Sequence, residues 1–553
     1  MTRTRFATIL LVSSSFAVAQ QTPPGFHEEV EVRVMDLDVV VTDRAGRPVP
    51  DLKREDFTVR LGGKVVPIDY FARVEEGAIH APDLSTVSPD QVMGTHRAAD
   101  EAYVPRHFLI YVDLGHLDPV GRRRGIEALK DLVTRLGPSD RARVVIFDRR
   151  TKPLADWTSS KEEVFTALSK IDKAGIGMSR LMMERQTLHA LDYPAVAVGG
   201  PNEETRRTIV ELFAQQERAE IRQMLSDVRS ELVTFAPLAG KKAFVFLSGG
   251  FEFRPGQAMA AYAASRRPGL NEPRNPRAQR PSFITPKSVP DVSTELEEVV
   301  RAANALEITF YTLDARGLVV EGPTAGDDEL LDSRLGLTAL AGSQDGMVML
   351  ARETGGLALL NANDLRPGLE QVYQDGAVYY SLGVTLAKIS STAYQSVRVD
   401  VNRKGVTVRT RRGYAARTDA DRDRDVVQAA LRTNLSYTDI PLTLRTEPAT
   451  KDGGNYLVPI SVTLLASALT FVSEGKMQRA TADLSIGVRD DSGRMSDIAR
   501  QEAAFTIPEG ADSSPLVYTT KLKTRKGNQR IVVNLRDRAS GKMGTAKADV
   551  RVE

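Results

Sequence analysis

Cysteine is absent from the 553 residues and tryptophan occurs once. The first absence excludes disulfides, thiolate metal sites, iron–sulfur ligation and cysteine nucleophiles. The lone Trp157 and an exposed-looking Tyr262 are too isolated to suggest stacking on nucleic-acid bases. An excess of one charge is missing too: 74 Lys and Arg face 72 Asp and Glu. That balance excludes a generally basic nucleic-acid binder and an acidic solvating protein. Past the N-terminus no run approaches the roughly 18 apolar residues of a membrane helix. No phosphate-binding Gly-x₄-Gly-Lys loop, Gly-x-Gly-x-x-Gly or His-Glu-x-x-His occurs, and no two of the six histidines (His27, His80, His96, His107, His116, His189) sit at i, i+4. Nucleotide binding and zinc hydrolysis therefore lack their residues.

What is present is an ordinary globular composition, 42% hydrophobic and 26% charged. At roughly 100–200 residues per domain, the length implies several domains. Arg3 and Arg5, the apolar stretch from Phe6 to Ala19 and the small-x-small Ala17-Val18-Ala19 predict an export signal cleaved after Ala19. At about 14 residues that stretch is too short to cross roughly 30 Å of hydrocarbon. No cysteine follows it, so a lipoprotein anchor is excluded. The mature protein is expected in the periplasm or outside the cell, with no membrane span after cleavage.

Period-two alternation over residues 30–74 (Val30, Val32, Val34, then Leu37, Val39, Val41) predicts a small β domain at 26–75, and 76–101 reads as a polar connector. Apolar runs at 107–113, 143–147, 242–247 and 308–313 alternate with helical patterns at 119–136, 161–171, 205–232 and 292–306. This predicts a doubly wound, mainly parallel α/β domain over 102–390, with insertions at 175–204 and 254–290. Val397, Val399, Val401, Val406 and Val408 around Asn402-Arg403-Lys404-Gly405 read as a closing hairpin within 391–417, expected to pack with 26–75. Asp421, Asp423 and Asp425 lack the glycine and distal Glu of a calcium loop, and 418–430 reads as a solvated linker. Short alternating runs from 431 to 553 predict an antiparallel β-sandwich.

At Tyr111-Val112-Asp113-Leu114-Gly115-His116-Leu117 an aspartate ends a buried strand before a helix. That feature, the strand end Phe246-Leu247-Ser248-Gly249-Gly250, the preceding β segment and the closing Arg411-Arg412-Gly413-Tyr414 together resemble a secreted, bacterial von Willebrand factor A (VWA)-related protein of the acidobacterial type. The resemblance covers about residues 26–415. It implies a metal-ion-dependent adhesion site, where hard oxygen ligands hold Mg²⁺ and an open position takes a carboxylate from the partner. Asp113 matches the first ligand, but the two serines fall on Gly115 and Leu117. The late Asp falls near Ser248 or Gly249, and Thr187 is the best threonine candidate. The implied site is degenerate: Mg²⁺ or Ca²⁺ is not expected to bind tightly, and Asp113 is expected to cap the next helix or bond the loop. His116 and Asp118 are candidates to substitute, His116 otherwise reading as a surface histidine.

Ser248 lacks the Gly-x-Ser-x-Gly elbow, since Phe246 fills the first glycine position, so a catalytic serine is not expected. Between residues 254 and 290 lie Arg254, Arg266, Arg267, Arg274, Arg277, Arg280 and Lys287 with seven prolines and one acid, Glu272. This reads as an insertion that cannot fold alone, or as a basic arm for an acidic protein or anionic polymer of the cell envelope. The expected function is non-enzymatic interaction or adhesion, with no cofactor. The alternatives are an envelope structural component without a discrete ligand site, or a hydrolase or metal-dependent enzyme.

Overall fold

A computed structural model describes residues 33–81, 103–173, 178–192, 203–265, 289–318, 333–386, 394–511 and 513–553. The export signal and Arg266, Arg267, Arg274, Arg277 and Arg280 lie outside them. The first elements are β1 (Arg33–Thr42), β2 (Phe57–Leu61), β3 (Lys64–Val66), β4 (Tyr70–Glu75) and β5 (Ala78–His80). β5 falls in the stretch read as a connector and extends β4 as an antiparallel neighbour.

Next come β6 (Arg106–Asp113), α1 (Pro119–Thr134), β7 (Arg141–Asp148), β8 (Arg150–Thr158), α2 (Lys161–Lys173), α3 (Met178–Asp192) and α4 (Glu203–Leu232). They are followed by β9 (Lys241–Ser248), α5 (Gln257–Ser265), α6 (Ser293–Ala305), β10 (Ile308–Asp314), α7 (Ser333–Glu353), β11 (Ala358–Leu359) and α8 (Arg366–Ala377). The sheet order is β11-β10-β9-β6-β7-β8, parallel except for β8, which runs antiparallel to β7. Every residue of β6 is buried, as a strand covered on both faces requires. Phe108, Ile110 and Val112 join a core with α1, α2 and α8, while Leu109 and Tyr111 join the opposite core with α4, α6 and α7. Trp157 and Tyr262 are both buried, Tyr262 donating to Asp192 Oδ1 at 2.6 Å, so neither presents an exposed ring. Both residue stretches read as insertions contain helix, α3 in one and α5 in the other, with Met183, Leu188, Leu191, Met259 and Ala263 sharing a small core with α4.

The chain then leaves the α/β layer through β12 (Val378–Leu386), β13 (Gln395–Val401), β14 (Thr407–Arg409) and β15 (Gly413–Tyr414). β12 lies between β1 and β4, antiparallel to both, so the α/β domain ends before it and not at 390. β13 pairs with β2 and β15, whereas β14 pairs with β1. The valines read as one hairpin thus belong to two sheets, β14-β1-β12-β4-β5 and β15-β13-β2-β3. Met35, Leu37, Val39, Val59, Leu382, Val397 and Val399 fill the space between those sheets. The α/β domain is therefore inserted into a two-sheet β module.

Residues read as a solvated linker form α9 (Asp419–Arg432). Thr418 caps it in a reciprocal box with Asp421, and Val427, Ala430 and Leu431 bury against Val532. Asp423 is fully buried and pairs with Arg536 at 3.0 Å. The C-terminal strands are β16 (Thr443–Thr446), β17 (Thr450–Asp452), β18 (Asn455–Leu465), β19 (Val472–Glu474), β20 (Met477–Asp490), β21 (Ala499–Pro508), β22 (Pro515–Thr524), β23 (Gly527–Asp537) and β24 (Met543–Val552). They make two antiparallel sheets around one core, β16-β18-β17 with β22 on β18, and β19-β20-β23-β24 with β21 on β20.

Candidate functional site

In a doubly wound sheet, ligands bind outside the carboxyl ends of the strands where the strand order reverses. Here that point lies between β6 and β9, which end in Asp113 and Ser248. Both residues are fully buried. A single oxygen, Asp113 Oδ2, accepts from His116 Nδ1 at 2.7 Å and from Ser248 Oγ at 2.8 Å. Ser248 Oγ in turn accepts from the Gly250 backbone at 3.0 Å. His116 is buried and not on the surface, because its ring folds back over the loop onto this carboxylate.

Asp113 bonds its loop and caps no helix; Asp118 is the cap, accepting from the Val120 and Gly121 backbones at 2.8 Å each. Asp118 is thereby occupied in starting α1 and is not a free binding-loop residue. Thr187 sits within α3 with Oγ1 donating to the Met183 carbonyl at 2.8 Å, a helix-internal bond that leaves it in no metal loop. Gly249 is forced to be glycine. A Cβ there would stand 2.0 Å from the His116 carbonyl oxygen and 3.7 Å from Arg316 Cγ.

Sequence reasoning missed the neighbouring cluster. Asp314, at the end of β10, is held by Arg316 Nε at 2.9 Å, Arg316 Nη2 at 2.8 Å and Gln344 Nε2 at 2.7 Å. Burial alone pushes the Asp314 carboxyl up, and the Arg316 guanidinium and Gln344 amide outweigh it, leaving the group below its ordinary range. Arg316 Nη1 also donates to Ser343 Oγ at 2.7 Å. The available signal was a third strand ending in an acid, with Arg two residues on.

The donor set does not fit a hard divalent cation. Mg²⁺ requires near-octahedral oxygen ligation. Gly115 and Leu117 supply no side-chain oxygen, Asp113 Oδ2 and Ser248 Oγ are spent on each other, and only Asp113 Oδ1 is left buried without a partner. His116 Nε2 is likewise buried and unpartnered, but a nitrogen is the wrong donor for this ion. Among the described residues no group of three or more His, Asp or Glu is placed to hold a metal. Nor is a nucleophile relay assembled: Ser248 donates to the carboxylate, and His116 touches the same oxygen without touching the serine.

No family model and no curated protein matches the chain. Among solved structures it is similar to BatB from Bacteroides thetaiotaomicron, at 11% identity over 49% of this chain and 98% of that one, with a TM-score of 0.20. An aerotolerance-related membrane protein from Bacteroides fragilis matches at 12% identity over 49% and 97%, with a TM-score of 0.24. Proximal thread matrix protein 1 from the mussel byssus matches at 12% over 50% and 47%, with a TM-score of 0.23. Scores this low leave the fold to be read from the strand order itself. Among the described residues no helix is long and apolar enough to cross a membrane.

Proposed function

We propose that this chain is an exported, non-enzymatic binding protein built on a VWA-like domain, whose recognition loops work without a bridging divalent cation. The reading rests on one observation: the carboxylate at the adhesion-site position already accepts from His116 and Ser248. A partner carboxylate would have no metal to complete. Recognition then falls to loop shape and charge along the carboxyl edge of the sheet. Arg254 stands at the entry to the basic segment carrying Arg266, Arg267, Arg274, Arg277 and Arg280, whose charge favours an acidic protein or anionic polymer of the envelope.

Calorimetric titration of the full chain with Mg²⁺ and with Ca²⁺, and capture of envelope components with and without EDTA, test this together. The expected result is no saturable cation heat and a captured partner that EDTA does not release. Saturable Mg²⁺ binding that Asp113→Ala abolishes, or a partner lost to EDTA, would overturn the reading.

A further inference from the structure

The hairpin joining β7 to β8 stands on the carboxyl edge, beside the carboxylate that is already satisfied. β6 and β7 are parallel with Asp113 opposite Phe147, and β7 turns back at once, Phe147 facing Thr151 and Asp148 facing Arg150. The apex is therefore about 5 Å to the side of Asp113 and about 7 Å further along the strand direction. Arg149 makes the turn alone, in the left-handed region at φ 59°. Arg149, Arg150 and Lys152 are exposed, and none of their side chains has a partner among the described residues. Asp148 is the one acid in this tip. The acids that end or follow the neighbouring strands are spent elsewhere: Asp113 on His116 and Ser248, Asp118 on α1, Asp314 on Arg316 and Gln344.

Sheet extension is closed to a partner here. β8 is the last strand, and its outward amide at Thr151 is covered by Asp227, which accepts from Thr151 N at 3.0 Å and from Thr151 Oγ1 at 2.9 Å. Two residues on, where the next outward amide would stand, Pro153 has none. Contact falls to the side chains. Arg150 and Lys152 project from one face of the strand about 7 Å apart, the spacing of alternate side chains in any extended polypeptide. The same edge carries apolar surface. A Cβ on Gly121 would stand 2.7 Å from the Ala315 carbonyl oxygen, to which Arg124 Nη1 donates at 3.1 Å. The first turn of α1 and the segment after β10 thus run side by side, bringing Val120, 66% exposed, and Leu318, 57% exposed, to the edge. Arg123, exposed three residues on from Val120, adds a further cation with no partner among the described residues.

Unpaired cations and exposed aliphatic side chains on one edge complement a chain bearing acids and apolar groups together, which a polypeptide does and an anionic sugar polymer does not. We propose that the partner of the carboxyl edge is an extended acidic segment of a protein, its carboxylates on Arg149, Arg150 and Lys152 and its apolar side chains on Val120 and Leu318. The inference rests on the metal-free reading above and names the partner of that same edge. Each arginine fork can take a carboxylate through two parallel hydrogen bonds, with no cation between them. From β7 across β6 and β9 to β10 is about 15 Å, and an extended segment of about eight residues, roughly 26 Å long, covers it.

Fluorescence anisotropy of the full chain at about 0.15 M salt, with a labelled glutamate–tyrosine copolymer in one arm and labelled heparin in the other, tests the assignment. Saturable binding of the copolymer is expected. Arg149→Asn with Arg150→Gln should weaken it about tenfold, the worth of two exposed charge contacts. The thermal midpoint should not move, because both side chains are exposed and unpartnered. Val120→Thr with Leu318→Gln should weaken the copolymer about fivefold and leave heparin unchanged. Lys451→Gln, an exposed change in the C-terminal sandwich, should alter neither. No saturable copolymer binding, or full copolymer affinity in the arginine variant, would overturn the inference while leaving the metal-free reading to its own EDTA test. Copolymer affinity that is indifferent to Val120→Thr with Leu318→Gln would overturn the choice of a protein segment in favour of a bare polyanion.

Discussion

At the carboxyl end of the parallel sheet, Asp113 Oδ2 takes hydrogen bonds from both His116 and Ser248, and Asp314 takes four from Arg316 and Gln344. At the amino end of the same sheet, Lys242 Nζ makes one bond, to the Leu306 carbonyl at 3.2 Å, and Arg411 Nε is buried with no partner. The first end carries the residues that attract attention in the sequence, yet they satisfy one another. The second end draws its residues from segments far apart in the chain, and no single motif announces it. An isolated carboxylate at a strand end therefore says where a ligand could sit in this fold, while the hydrogen-bond accounting says whether room is left for one.

The sharpest way to break this contrast is at Gly249. If the carboxyl edge is closed as tightly as its 2.0 Å approach to the His116 carbonyl implies, Gly249→Ala should cost about 3 kcal/mol through overpacking. Urea denaturation followed by Trp157 fluorescence reports on it, since Trp157 is buried in the α/β core 4.8 Å from the Phe235 ring. An unchanged midpoint would mean the edge is loose enough to admit a ligand. Asp113→Ala comes next. It strands His116 Nδ1 and the Ser248 hydroxyl, and should cost about 2 kcal/mol by the same measurement. A variant as stable as the parent would show the carboxylate to be held for something other than its neighbours.

The smallest effect is at the amino end. Burial pushes the Asp36 carboxyl up to about 7, aided by the Asp38 and Glu307 charges, against the Ser381 hydroxyl and the Arg411 cation. A carboxyl with a raised folded value contributes stability that is complete in acid and lost as pH climbs through about 7. Asp36→Asn should therefore raise the thermal midpoint by about 2–4 °C at pH 8 and give no gain at pH 4. A gain of equal size at both pH values would separate the effect from ionisation.

The α/β strands could be read directly because a strand buried on both faces is an apolar run, as residues 107–113 show. Asp113 and Ser248 could be found because they end such runs. The polar partners of Asp314 could not, since Gln344 lies 30 residues downstream on a helix with no motif of its own. His116 misled because a histidine in a polar loop reads as exposed until the carboxylate it folds onto is known. The Asp and Arg alternation at 419–425 misled for a related reason. Charge suggests solvent, but Asp423 faces Arg536, more than a hundred residues away, and only the Thr418–Asp421 box ahead of Val426 and Val427 signalled a helix start. β12 was assigned to the wrong domain because its apolar run is compatible with either sheet. The choice is made by its register against β1, in which Leu37 pairs with Leu382.

That register has a mechanical side. Because β12 is laced between β1 and β4, the chain enters and leaves the α/β domain at one place, and the domain hangs from the β module as a closed loop. Tension pulling from β1 toward the C-terminal sandwich would be taken up first by the β1–β12 and β1–β14 ladders, bypassing the α/β domain until those ladders part. A tug on a partner seated at the carboxyl edge would travel through the whole α/β layer to reach the same ladders.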